Sequence, residues 1–196
     1  MTNISQGRVL CLACLCIVLA LAACGPTTPT EEPPFAEDYF IQGNEFSQNG
    51  DFEKAVEEYR QALELEPNTV DVLSNLGVAY YNLGQLDEAI EQYSDALELA
   101  PRDADIHSNL AAAYVQKYQQ SGVQDQLESA LEEYTESIEL EPNLAEAHFG
   151  QGVVYVLLER YDEAILAFAR FQELDTGKDP LATENAAEYL KQLRGQ

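Results

Sequence analysis

From Ala36 onward the apolar positions return in the same order. Ala55, Ala89, Ala130 and Ala164 are each followed four residues later by an aromatic residue, Tyr59, Tyr93, Tyr134 and Phe168, and the first three copies close on Pro67, Pro101 and Pro142. Successive copies lie 34, 41 and 34 residues apart, so the third unit carries seven extra residues. Upstream in each unit stand Gly43 and Phe46, Gly77 and Tyr80, Ala111 and Tyr114, and Gly152 and Tyr155. Self-similarity at this period marks an internal repeat, which fixes the architecture before any local element is assigned.

Each unit reads as a helix hairpin. Between Val70 and Leu83 the set Leu73, Leu76, Gly77, Tyr80 recurs at three and four residues, and between Leu86 and Leu99 so does Leu86, Ala89, Ile90, Tyr93, Ala96, Leu97. That spacing places the apolar side chains on one face of a helix. Gly84 ends the first helix and Pro101 stops the second, since an imino nitrogen cannot continue the ladder. One hairpin cannot bury its own apolar face, so neighbours must stack. The extra residues of the third unit fall near Tyr118 to Val123, which predicts a longer turn between its helices. Asp179 and Pro180 read as an N-cap and a first helical residue, opening a helix to about Arg194.

The pattern resembles the tetratricopeptide repeat from Ala36 to about Asp175. The second unit, with Leu73, Leu76, Gly77, Tyr80, Gly84, Ala89, Tyr93, Ala96 and Pro101, matches the family's signature except at the opening Trp. The fourth departs from it, with Phe171 where Ala is preferred and Thr176 where Pro is expected. The resemblance implies an all-α chain, a right-handed α-solenoid of four hairpins at 36–69, 70–103, 104–144 (with the seven-residue insertion) and 145–178, closed by a capping helix at 179–196.

In that family the first helices line a concave, peptide-binding surface through the second, fifth, sixth, ninth and twelfth places of each unit. The second place holds Glu37, Asp71, Asp105 and Glu146. Four acids stacked in a row point to a basic partner segment. Acids in a first turn are equally favoured by the helix macrodipole with no ligand at all, and both readings stand at this stage. Asn75 and Asn109 share the sixth place, which resembles the asparagine ladder by which some members grip a peptide backbone. Ile41 and Gly150 interrupt that ladder at its ends, while Asn44 and Asn82 add amides nearby. Phe40, Tyr81, Val115, Phe149 and Val153 offer an apolar floor, unless stacking occupies them. The members that clamp a terminal carboxylate use Lys and Arg on this face; here Phe40, Asn44, Asn75, Asp105 and Asn109 stand there, which disfavours that class. His107 and His148, both at the fourth place, read as packing residues rather than metal ligands.

Charge and the N-terminus complete the picture. Ten Lys and Arg against 35 Asp and Glu give a net charge of −25, which opposes nucleic acid and anionic lipid alike. All four cysteines lie within the first 24 residues. Met1 to Gly7 carry no acid, Arg8 is basic, and Val9 to Ala23 form an apolar run of 15 residues. A helix of that length spans about 22 Å, short of the roughly 30 Å of a bilayer core, so residues 1–23 read as a secretory signal peptide. Leu21, Ala22, Ala23, Cys24 and Gly25 resemble a bacterial lipobox, which implies cleavage before Cys24 and a diacylglyceryl group on its thiol. Residues 24–35, the lipidated Cys and a Pro-rich stretch, read as a linker, of which Gly25 to Pro34 would extend roughly 30 Å as polyproline II.

No nucleophile with a base, phosphate loop or metal cluster is visible, so neither catalysis, a cofactor nor a small-molecule substrate is expected. The leading expectation is a lipid-anchored scaffold of the bacterial cell envelope, outside the cytoplasm, that binds a protein segment in its groove. The alternatives are a structural array that self-associates and an acidic cation buffer.

Overall fold

The computed structural model describes residues 35–177 and 179–195. The signal peptide, Cys24 and nearly all of the linker therefore lie outside the described residues. Among the described residues there are nine helices and no strand: α1 (Ala36–Gln48), α2 (Phe52–Leu65), α3 (Val70–Asn82), α4 (Leu86–Leu99), α5 (Ala104–Ser121), α6 (Asp125–Leu140), α7 (Ala145–Leu157), α8 (Tyr161–Leu174) and α9 (Pro180–Arg194). They form four antiparallel hairpins and a closing helix. The first helices touch in succession, α1 on α3, α3 on α5 and α5 on α7, while each second helix packs on the first helix of the next unit. The first helices therefore make a continuous inner layer, and α9 covers α8.

The recurring alanine and aromatic residues are the centre of each hairpin. Ala55, Ala89, Ala130 and Ala164 are wholly buried, as are Tyr59, Tyr93 and Phe168 to within one per cent. The aromatic ring needs a glycine opposite. A Cβ added to Gly43 would stand 2.5 Å from the ring of Tyr59, one on Gly77 would stand 2.7 Å from Tyr93, and one on Gly152 would stand 2.8 Å from Phe168. Those separations are below van der Waals contact, so the methyl and the ring exclude each other.

The third unit carries Ala111 at that place and seats its ring differently. Tyr134 lies with its hydroxyl end against Gly150 of α7, where a Cβ would overlap it. An alanine gained within the unit is thus matched by a side chain lost from the next.

The hairpin turns repeat a single device. After α1, α3 and α7 a residue adopts a left-handed conformation, Gly50, Gly84 and Glu159, and the following amide donates back to a carbonyl five residues earlier: Asp51 to Phe46, Gln85 to Tyr80, Arg160 to Tyr155. This is the bonding pattern that closes a helix end around a left-handed residue.

The insertion does not lengthen the turn. The connection between α5 and α6 spans 122–124, three residues like the 83–85 connection of the second unit, and the seven extra residues extend the helices instead. Helix α5 has 18 residues against 13 in α3, and α6 has 16 against 14 in α4. Lys117 to Ser121 contain neither Gly nor Pro, so nothing stops the helix until Gly122, with φ of 70°, takes the left-handed position.

Both histidines join successive units. The Nε2 of His107 lies 3.2 Å from the Pro101 carbonyl oxygen and that of His148 lies 3.0 Å from the Pro142 carbonyl oxygen, while His107 Nδ1 is 2.6 Å from the Glu133 carboxylate on α6. Buried Ser137 donates 2.8 Å to the Ala104 carbonyl at the start of α5. At the C-terminal end Asp179 caps α9, its Oδ1 accepting from the amides of Leu181 (2.9 Å) and Ala182 (3.1 Å). Asp175 accepts from the Thr183 hydroxyl and the Gly177 amide, and these bonds hold its carboxyl below the usual carboxylate range.

Candidate functional site: the inner face of the first helices

Because α1, α3, α5 and α7 form one layer, the second residue of each falls on the same edge. Glu37, Asp71, Asp105 and Glu146 are all exposed in the first turn of their helices. None takes part in an ion pair among the described residues. Their carboxylates are therefore free to act outward.

Three depressions run along this face. The first, about 80 Å³, gathers Glu37, Phe40 and Asp71 with Glu66 and Thr69. The second, about 250 Å³, gathers Phe40, Asp71, Asn75 and Asp105 with Ser74 and Asp103. The third, about 280 Å³, brings Tyr81, Glu146 and Phe149 together. Its floor is completed by Ala112, Val115 and Val153, its deeper wall by buried Tyr134 and Gly150, and its sides by half-buried Gln116 and exposed Gln119.

The amides divide differently. Asn44 turns into the array, where its Oδ1 accepts 2.7 Å from the Tyr59 hydroxyl and 2.9 Å from Asn75 Nδ2. One rung of the expected ladder is thus bonded across units one and two. Asn82 bends back to the Val78 carbonyl at 2.8 Å. Asn109 is half-buried and makes no side-chain hydrogen bond among the described residues, and it lines none of the three depressions.

The aromatic residues of the floor are partly shared with the core. Phe40 lies 6.1 Å from Tyr59 and Phe149 lies 5.8 Å from Phe168 and 5.2 Å from Phe171, centroid to centroid. Each is half-buried, so one flank packs and the other faces the groove. Burial pushes the hydroxyls of Tyr81 and Tyr134 above the ordinary phenol value, which keeps both neutral donors and acceptors.

The deeper wall of the third depression escaped the sequence reading. Its signal was present as a pair of exceptions: Ala111 where the other units carry Gly, and Gly150 where the inner units carry Asn. Among the described residues no group of three or more His, Cys, Asp or Glu is placed to hold a metal ion, and no helix is long and apolar enough to cross a membrane.

Comparison with known proteins agrees with this geometry. A model described as TPR repeat matches residues 43–84 and 79–117, and one described as Tetratricopeptide repeat matches 123–179. Among solved structures, the MamA protein is similar over 82% of this chain and 90% of its own, at 25% identity and a TM-score of 0.65. A thermophilic TPR protein of Thermus thermophilus is similar over 81% of this chain and 80% of its own, at 23% identity and a TM-score of 0.68. YrrB, a TPR protein with an unusual peptide-binding site, is similar over 80% and 75%, at 24% identity and a TM-score of 0.63. The photosystem I assembly protein Ycf3 of Acaryochloris marina is 47% identical over 56 residues, 28% of this chain. The match spans 34% of that relative's length.

Proposed function

This chain belongs to the tetratricopeptide repeat family, whose members are protein-interaction scaffolds, and from that premise we propose that it is a lipid-anchored, non-enzymatic scaffold. Its inner groove takes an extended, basic segment of a partner protein. The observation that carries the reading is the unpaired acidic edge, Glu37, Asp71, Asp105 and Glu146, running beside a half-buried apolar floor of Phe40, Tyr81 and Phe149. Apolar stems of lysine and arginine rest on such a floor while their charged ends reach the edge. Peptide recognition in structural neighbours supports this reading: the first TPR of Spaghetti was solved bound to an HSP90 peptide, and YrrB has a peptide-binding site of its own.

Place comes from the N-terminus. Cys24 carries a diacylglyceryl group, two chains that hold the mature protein to an envelope membrane outside the cytoplasm, since a single acyl chain binds only marginally. No protein electrostatics assist, since loss of residues 1–23 removes Arg8 and leaves 9 basic against 35 acidic residues, a net charge of −26.

The test has two arms. Exchanging Asp71 and Asp105 for Lys converts two attractions into two repulsions. Each exchange loses one attraction and adds one repulsion of about 0.2–1 kcal/mol apiece, about 0.8–4 kcal/mol in all, so affinity for a lysine-rich peptide should fall at least roughly 4-fold at low salt, and far less in 1 M salt. Unchanged affinity returns the acidic row to a macrodipole effect. In the second arm Cys24→Ser should release the protein from membranes and abolish labelling by a fatty-acid analogue; retained anchoring refutes the lipid attachment. A self-associating array remains a second reading because Leu166 and Leu181 are 70% and 65% exposed. Sedimentation at several concentrations separates it from the first.

A further inference from the structure

We propose that the depression between α3, α5 and α7 is an arginine socket, the point at which one side chain of the partner segment is anchored. The inference rests on the groove-binding reading above and adds the identity of the anchoring residue. A volume of about 280 Å³ lies below the usual range for a small-molecule site, and it suits a single long side chain entering from the groove.

The lining selects the chemistry. Tyr81, Val115, Phe149 and Val153 give an apolar and aromatic sleeve, open toward solvent. Gln116 belongs to the same lining, and its Oε1 is a buried acceptor with no hydrogen-bond partner among the described residues. An acceptor left so is costly, and a donor supplied by a ligand recovers that cost. Against Gly150 in the same lining lies Tyr134, 5% exposed, whose hydroxyl makes no hydrogen bond among the described residues. The free carboxylate of Glu146 belongs to the same lining. An apolar occupant would leave the acceptors unmatched, and an acidic one would meet Glu146. Guanidinium answers all three demands: its plane stacks on aromatic faces, its fork supplies several donors, and its charge matches the carboxylate.

Two departures of this chain from its own repeat create the socket. The exchange of Ala111 and Gly150 delivers the Tyr134 hydroxyl to the depth of the cleft, and the added turn of α5 contributes Gln119 to its wall. The equivalent junction between units one and two is filled instead by the Asn44, Tyr59 and Asn75 hydrogen bonds.

The test uses blocked single residues, so that its outcome is independent of backbone binding along the groove. The isotope-labelled full chain is titrated with N-acetyl-arginine methylamide, and separately with the lysine and norleucine counterparts, while the side-chain amide of Gln116 and the backbone amides of Gly150 and Val153 are followed by NMR. Arginine should shift these signals saturably at millimolar concentration, lysine at least threefold more weakly and norleucine not measurably. Gln116→Met and Glu146→Gln should each weaken arginine by about fivefold or more. Tyr134→Phe, which keeps the ring, checks the hydroxyl separately, with at least a twofold loss expected. Absence of shifts at the socket, equal response to norleucine, shifts confined to the neighbourhood of Asp71 and Asp105, or insensitivity to all three substitutions would each overturn the assignment. Binding of the lysine-rich peptide could survive any of those outcomes, so the broader reading stands or falls by its own assay.

Discussion

Replacing Gly77 by Ala tests the packing argument through its sign. Helix propensity alone favours alanine over glycine in a helix interior by about 0.5–1 kcal/mol, and Gly77 lies within α3 with no need of a positive φ. Packing opposes this. The new Cβ would stand 2.7 Å from Tyr93 Cε1, 2.8 Å from Cδ1 and 3.0 Å from Cζ, and Tyr93 is only 1% exposed, so the ring has no empty space to enter. Overpacking of this kind costs about 1–3 kcal/mol, which outweighs the propensity gain and leaves the variant destabilised by up to about 2.5 kcal/mol. Urea unfolding followed by helical circular dichroism measures the difference, and amide exchange in α3 and α4 localises it. In a Tyr93→Leu background the clash is gone and the same substitution should turn neutral or stabilising, a coupling that a double-mutant cycle isolates. A stability gain of about 1 kcal/mol in the otherwise native chain, equal to the propensity term, would refute the claim that ring and glycine are mutually required.

Asn44→Ala should cost about 1–3 kcal/mol in denaturant unfolding, because the Tyr59 hydroxyl and the Asn75 amide lose a shared acceptor. Adding Tyr59→Phe should cost less than it does alone, and strict additivity would show that the bonds are not coupled. Alkali supplies a further check. Burial raises the hydroxyls of Tyr59, Tyr81, Tyr93, Tyr114 and Tyr134 above their unfolded value of about 10, so the folded state favours the protonated form. Stability from this source is complete below about pH 10 and declines as pH climbs beyond it, because the unfolded chain ionises first. Tyrosinate absorbance from these residues should therefore appear together with loss of helix; ionisation near pH 10 with the helix intact would contradict their burial.

What the sequence disclosed was whatever repeats or acts locally. The interval between Ala55 and Ala89 locates two hairpins at once, and α3 and α4 begin and end within a residue of the apolar pattern. Asp179 and Pro180 announce α9 because an N-cap and a preset φ act over a single turn. The hidden features depend on partners remote in the chain. Asn44 reads as a groove amide until Tyr59 and Asn75, 15 and 31 residues away, are brought to it. The insertion reads as loop because Lys117 to Ser121 lack an apolar stripe, yet ordinary helix formers continue a helix that is already nucleated. Gly150 reads as a missing ladder rung, and its purpose is visible only once Tyr134 lies across it.

The exchange between Ala111 and Gly150 removes the interchangeability on which tandem modules ordinarily rely. Units one and two each contain the glycine their own ring requires, and either could in principle be copied, lost or transplanted as a self-sufficient cassette. The last two are complementary halves. A recombinant carrying the third without the fourth would drive a tyrosine into its neighbour's side chain, whereas the fourth alone would bring a bare backbone patch to a junction with nothing to cover it. Heredity should therefore handle 104–178 as one inseparable block, and designers who lengthen or shorten this array should cut elsewhere.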